Sequence, residues 1–154
     1  MGMYTEMIFG CKLSKSTPKE CINALNYSIN GAMEDWDNLS EEDRQFHDDY
    51  DLGYLFHGSS YYFGVNLPVN RFWRDNIDNC WHISVRSNIK NYEGQIENFL
   101  DYIADYVEQG SGFGSNVYAY VQYEESLLPT IYSLEGKYKL NDLLHDELVK
   151  RELV

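Results

Sequence analysis

Between Glu34 and Asp51 the chain carries nine carboxylates, Glu34, Asp35, Asp37, Glu41, Glu42, Asp43, Asp48, Asp49 and Asp51, against a single base, Arg44. Carboxylates at this density suit two kinds of chemistry. They can coordinate a hard cation, or they can offer a negative surface to a basic partner. The spacing rejects a calcium loop. Asp35-Trp36-Asp37-Asn38-Leu39-Ser40 starts like one, but Ser40 stands where the sharp turn needs glycine. Phe46 stands where a bidentate glutamate would close the shell. The segment is therefore read as a solvated loop with partial helix or as a docking surface. In its sharpest form, the docking surface mimics nucleic-acid phosphates against a basic groove.

The other residues able to do chemistry are sparse. Four histidines, His47, His57, His82 and His145, show neither an HExxH pattern nor Cys/His spacing for zinc. Three cysteines, Cys11, Cys21 and Cys80, lie far apart and have no CxxC; they read as reduced, buried thiols. Cys80 stands two residues before His82, and no nucleophilic cysteine is expected. Gly110 to Ser115 lacks the lysine of a phosphate loop and is read as a connector. No metal or cofactor is expected, and the chain is read as more suited to binding than to catalysis.

The elements that position these groups are legible in the patterning. A chain of 154 residues fits one domain, and 16% aromatic content can fill a core. A net charge of −13 argues against direct contact with nucleic acid and against an anionic membrane surface. No stretch approaches a transmembrane length and no leader pattern opens the chain, so a cytoplasmic location is expected.

Met3 to Leu13 alternates and predicts a strand. Thr17-Pro18-Lys19-Glu20 predicts a capped helix start, with Ile22, Leu25 and Ile29 as its apolar stripe and Gly31 as its stop. Ser40 to Asp43 can begin a turn or two of helix inside the acidic insert 34–51. Leu52 to Phe56 and Ser60 to Asn66 read as extended, and Arg71 to Asn79 as a connection. Cys80 to Ser87 alternates again. Tyr92 to Gln109 predicts a second helix burying Tyr92, Ile96, Phe99, Leu100, Ile103 and Val107. Val117 to Tyr123 is a strand, and Thr130 to Leu134 can hairpin back. Leu140, Leu144 and Leu148 predict a tail helix over 140–152. The order predicts a single α+β domain, a ferredoxin-like βαββαβ sandwich. Its antiparallel sheet carries two helices on one face, with the acidic insert and C-terminal helix as additions.

If Trp81, Ile83, Val85, Val117, Ala119 and Val121 face the helices, then His82, Arg86, Tyr118 and Tyr120 face outward, with Tyr62 joining them. Tyrosine and arginine are frequent interface anchors, so this face is a second expected partner-binding surface, including for a homodimer. An alternative reading is a small-molecule module or enzyme with His82, Arg86 and Tyr120 in a pocket on the sheet and His82 as acid or base.

Three stretches also carry a resemblance. They are Tyr4-Thr5-Glu6-Met7-Ile8-Phe9-Gly10-Cys11, Ser60-Tyr61-Tyr62-Phe63-Gly64-Val65, and Trp81-His82-Ile83-Ser84 leading to Asn88-Ile89-Lys90-Asn91-Tyr92-Glu93. Together they resemble small uncharacterised proteins encoded by phages and prophages of Gram-positive bacteria. The resemblance implies a cellular context and assigns no functional residue. The expected function is a non-catalytic, acidic interaction protein, phage-related, that binds a protein partner such as a basic nucleic-acid-binding host protein.

Overall fold

The computed structural model describes residues 4–57, 70–108 and 116–139. Among these the chain is a mixed α+β fold with a seven-stranded antiparallel sheet and four α-helices. Strand β1 (Thr5–Leu13) leads into α1 (Lys19–Asn30). A 3-10 helix (Met33–Asn38), α2 (Glu41–Asp49) and α3 (Leu52–His57) follow. Strands β2 (Arg71–Arg74) and β3 (Trp81–Ile89) precede α4 (Gln95–Ile103). A 3-10 turn (Ala104–Tyr106) enters the two-residue β4 (Val107–Glu108). Strands β5 (Val117–Tyr123), β6 (Thr130–Ser133) and β7 (Gly136–Lys139) close the described chain.

Strand order is β2-β3-β1-β5-β6-β7, and β4 pairs with the end of β1. β1 is thus bonded on both sides. Phe9 lies opposite Val85 on β3 and Ala119 on β5, and Met7 lies opposite Ser87 and Val121. These odd-numbered residues are buried with Ile83 and Ile89. They form one cluster with Cys21, Ala24 and Leu25 of α1, with Leu52, Leu55 and Phe56 of α3, and with Ile96, Phe99, Leu100 and Ile103 of α4. Phe99 is the hub of its rings: Phe9 meets it edge-on at 5.6 Å and Phe56 at 5.4 Å. Edge-to-face packing of this kind adds to the burial energy.

Polar ties fix α3 to its neighbours. Ser28 donates to the Leu52 carbonyl at 3.2 Å, and Ser87 donates to the Leu55 carbonyl. Asn30 donates to the Phe72 carbonyl at 2.7 Å and holds the end of α1 to β2. Each bond satisfies a backbone oxygen that water cannot reach easily.

Several sequence expectations are corrected. Leu52 to Phe56 is helical, not extended, because Leu52, Leu55 and Phe56 place three buried side chains at helical spacing. Arg71–Arg74, read as a connection, is an edge strand paired with β3. The second long helix is shorter than 92–109. It starts after Gly94, which holds φ of +72°, and Tyr92 is 70% exposed. Pro18, not Thr17, occupies the cap position of α1, and the Thr17 hydroxyl donates instead to the Ser14 carbonyl at 2.7 Å. The expected strand 60–66, the glycine-rich loop 110–115 and the tail helix 140–152 lie outside the described residues.

Two outcomes check this core. Replacing Phe9 with Ala removes the ring between β1 and α4 and is expected to cost about 3–5 kcal/mol in urea unfolding. Burial, helped by Glu20, pushes the Cys21 thiol up to about 12, and burial with Glu97 and Asp101 pushes the Tyr132 hydroxyl up to about 12. Both groups are neutral in the folded protein. Their contribution is full below the unfolded values and is lost as pH rises through the folded ones. A pH series of melting temperatures should be flat near neutrality and fall between about pH 9 and pH 12.

Candidate functional site

The acidic segment is an ordered surface. Ser40 opens α2 with a reciprocal capping box: its hydroxyl accepts the Asp43 amide at 3.1 Å, and Asp43 accepts the Ser40 amide at 3.1 Å. Asp43 also accepts from the Asn23 side chain of α1, and is only 6% exposed. Upstream, Asp35 accepts the Ala32 amide at 2.8 Å at the start of the 3-10 helix. Arg44 donates to the Trp36 and Asp37 carbonyls at 3.1 and 3.0 Å, and its guanidinium lies 5.8 Å from the Trp36 ring. The one base of the segment therefore closes the end of the 3-10 helix.

Aromatic rings anchor this scaffold to the domain. Trp36, Tyr27 and His47 meet with centroids 5.1 to 5.6 Å apart, joining the 3-10 helix and α2 to α1. At that separation the rings touch one another and leave no space between them. Phe46 packs on Tyr50 and Tyr102, which carries α2 onto α4. Burial raises the Tyr102 hydroxyl, followed by the influence of Cys21, Tyr106, Tyr50 and Glu20.

Of the nine carboxylates, Asp43 is buried, while Glu34, Asp35, Asp37, Glu41, Glu42, Asp48, Asp49 and Asp51 are exposed. Among the described residues, none of the nine forms an ion pair with a lysine or arginine. Gln45 donates to Asp49, and His47 contacts Asp48 at 3.1 Å. Asp48 and Asp49 sit in the last turn of α2, at the negative end of its dipole, where a carboxylate is locally unfavourable.

The expected sheet face is also present in part. Even-numbered residues of the central strands turn away from the core. Trp73, His82 and Lys12 form one row across β2, β3 and β1. Arg86, Ile8, Tyr120 and Ile131 form another across β3, β1, β5 and β6. Ile8 is 44% exposed, Arg86 is exposed beside Glu6, and His82 and Tyr120 are half-buried.

Tyr118 is a correction. A register shift between Val117 and Ala119 places an extra residue against β6. A bulge of this kind breaks the alternation, so Tyr118 joins Ala119 on the core side, 8% exposed and 6.2 Å from the Phe9 ring. Tyr62 lies outside the described residues. Trp73 joins the face although the sequence expectation places Arg71-Phe72-Trp73-Arg74 in a connection; its two adjacent aromatics, a residue type enriched in strands, are the signal for β2.

His82, Arg86 and Tyr120 share the face without converging. Four residues of strand at about 3.3 Å each separate the two rows by roughly 13 Å. Two clefts lie elsewhere. One, of about 380 Å³, runs between α1 and the acidic segment beside Asn23, Tyr27 and Asp43. The other, of about 470 Å³, lies between the β1–α1 loop and the β2–β3 turn, beside Lys15, Lys19 and Arg74. Neither contains any of the three residues.

Comparison with known proteins finds no matching family model, no curated relative and no similar solved structure. Among the described residues, no helix is long and apolar enough to cross a membrane.

The capping geometry separates structural acids from surface acids. Replacing Asp43 with Ala should cost about 1–2 kcal/mol, because it strips the box and leaves the Ser40 amide unbonded. Replacing Asp48 with Asn should leave stability unchanged or raise it by up to about 0.5 kcal/mol. Urea unfolding of the two variants checks the difference.

Proposed function

We propose that this is a non-catalytic binding protein whose acidic surface docks on the basic face of a protein partner. The reading rests on one observation: eight exposed carboxylates stand on an ordered, aromatic-anchored scaffold with no lysine or arginine ion pair among the described residues. A repelling array of this kind is costly to hold together and gains most when a positive surface meets it. The Asp48 and Asp49 carboxylates stand against the helix dipole, which local stability alone does not favour.

In this reading the partner is a basic, nucleic-acid-binding protein of a bacterial host, and the encounter takes place in the cytoplasm. The resemblance to phage and prophage proteins supports that context. The carboxylates would occupy the groove that otherwise holds phosphates. This assigns no role to a sheet-face pocket, because His82 lies in a different row from Arg86 and Tyr120.

We further infer that β1, α1, β2, β3, α4 and β5 make a ferredoxin-like βαββαβ unit. The order β2-β3-β1-β5, its antiparallel pairings and the shared core of α1 and α4 support this. The 3-10 helix, α2 and α3 are then an insertion after α1, and β6 and β7 extend one edge.

Immobilised protein should retain basic nucleic-acid-binding proteins from host lysate at low salt, and duplex DNA should displace them. The combined variant Glu41→Gln, Glu42→Gln, Asp48→Asn, Asp49→Asn should bind roughly tenfold or more weakly, with a shallower salt dependence. Retention that ignores the four substitutions, or that resists both salt and DNA, would sink the reading.

A further inference from the structure

The turn between β2 and β3 carries a group of side chains that the acidic surface does not use. Asp75, Asp78 and His82 each bring one ligand atom to within 4.8 Å of the other two. No other trio of His, Cys, Asp or Glu converges in this way among the described residues, and the nine-carboxylate segment contributes none. We propose that this trio is a binding site for a divalent transition ion of the zinc or cobalt class.

The donor chemistry fits. One imidazole nitrogen with two carboxylate oxygens suits a borderline first-row divalent ion, with water completing the shell. Bond lengths near 2.1 Å put neighbouring ligand atoms about 3.0–3.5 Å apart, so the trio tightens by roughly 1–1.5 Å, within the reach of side-chain rotation. His82 Nε2 and Asp78 Oδ2 are already 2.9 Å apart.

Backbone amides hold the two carboxylates in place. Asp75 Oδ1 accepts the Ile77 amide at 2.7 Å, and Asp78 Oδ1 accepts the Cys80 amide at 2.9 Å. One oxygen of each carboxylate is thus tied to the turn, and the second Asp78 oxygen faces His82 and Lys12, contacts that an entering ion replaces. The turn is closed by the Asp75 amide on the Cys80 carbonyl at 2.9 Å, with Asn79 at φ of +59°. The His82 ring stacks on Trp73 at 5.4 Å and 17°, and the Arg71 guanidinium lies 4.5 Å from the Trp73 centroid on the same ladder.

Lys12 sets the selectivity. Its ammonium lies 3.6 Å from Asp78 Oδ2 and also 3.6 Å from Glu108, so it can release one carboxylate and keep the other. An entering ion must displace this positive charge. An ion with affinity for imidazole gains enough from His82 to do so; calcium and magnesium, which prefer oxygen alone, gain little.

The test uses the full chain. Zn²⁺ titrated into wild-type protein at neutral pH should bind saturably at one ion per chain. In histidine-labelled protein it should move the ring nitrogens of His82 before those of His47, His57 and His145. Calcium and magnesium at equal concentration should not compete. Asp75→Asn and His82→Gln should each weaken binding roughly tenfold or more. Lys12→Met should strengthen it several-fold, a gain that loss of a merely structural lysine would not produce. Absence of saturable binding overturns the proposal. So does binding that survives both ligand substitutions, a different histidine moving first, or Lys12→Met binding more weakly. The ring-nitrogen measurement needs no variant, so a poorly folding substitution leaves the question decidable.

Discussion

The side-chain alternation of β1, bonded on both edges, is the constraint from which the rest of the arrangement follows. Thr5 to Phe9 are registered against β3 on one side and β5 on the other. A slip of one residue at either edge would turn Met7 and Phe9 to solvent and Ile8 toward the helices. The cost of exposing two fully buried side chains makes that slip prohibitive. Once β1 is fixed, the faces of β3 follow, and through β3 those of β2. Trp73 and His82 stand side by side, and Lys12 lies beside them, only because three strands share one register.

The acidic segment obeys a different logic. Its exposed charges repel one another, and apart from the caps at Asp35 and Asp43 the carboxylates add little to cohesion. Cohesion comes from rings: Trp36 and His47 against Tyr27, and Phe46 against Tyr50 and Tyr102. These contacts bury apolar area on one side of α2 and of the 3-10 helix and leave the other side to the carboxylates. The segment is therefore amphipathic in the ordinary helical sense, with an unusually acidic outer face. The Arg44 contacts fit the same pattern, since its charge satisfies carbonyls at the end of the 3-10 helix.

Much of this was legible in the sequence, for definite reasons. Long alternating runs announced β1, β3 and β5, and the buried positions Ile83, Val85, Ala119 and Val121 follow from them. Ser40 and Asp43 announced the start of α2 through capping chemistry. The failures share a cause too. Leu52 to His57 is six residues long, and a run that short fits a strand or a helix until its neighbours decide. Here the carbonyls of Leu52 and Leu55 find hydroxyls on α1 and β3. Tyr118 failed because a bulge is a property of two strands together, and alternation within one strand cannot reveal it. Trp73 failed because an edge strand of four residues is marked mainly by its partner.

The carboxylates show why counting charges misleads about function. Asp35, Asp43, Asp75 and Asp78 each accept a backbone amide, and each ends or begins a turn by doing so. These bonds restrain their conformations. Among the described residues, Glu41, Glu42, Asp48 and Asp49 make no such bond to the backbone, and they stay exposed. The first group can position an ion or a helix start, because a tethered oxygen holds its partner oxygen in place. The second group suits a large basic surface, because side chains not tied to the backbone can follow the spacing of a partner without unfolding the scaffold. Carboxylates that brace the fold are thus separable from those that only charge its surface by whether each is tied to its own backbone.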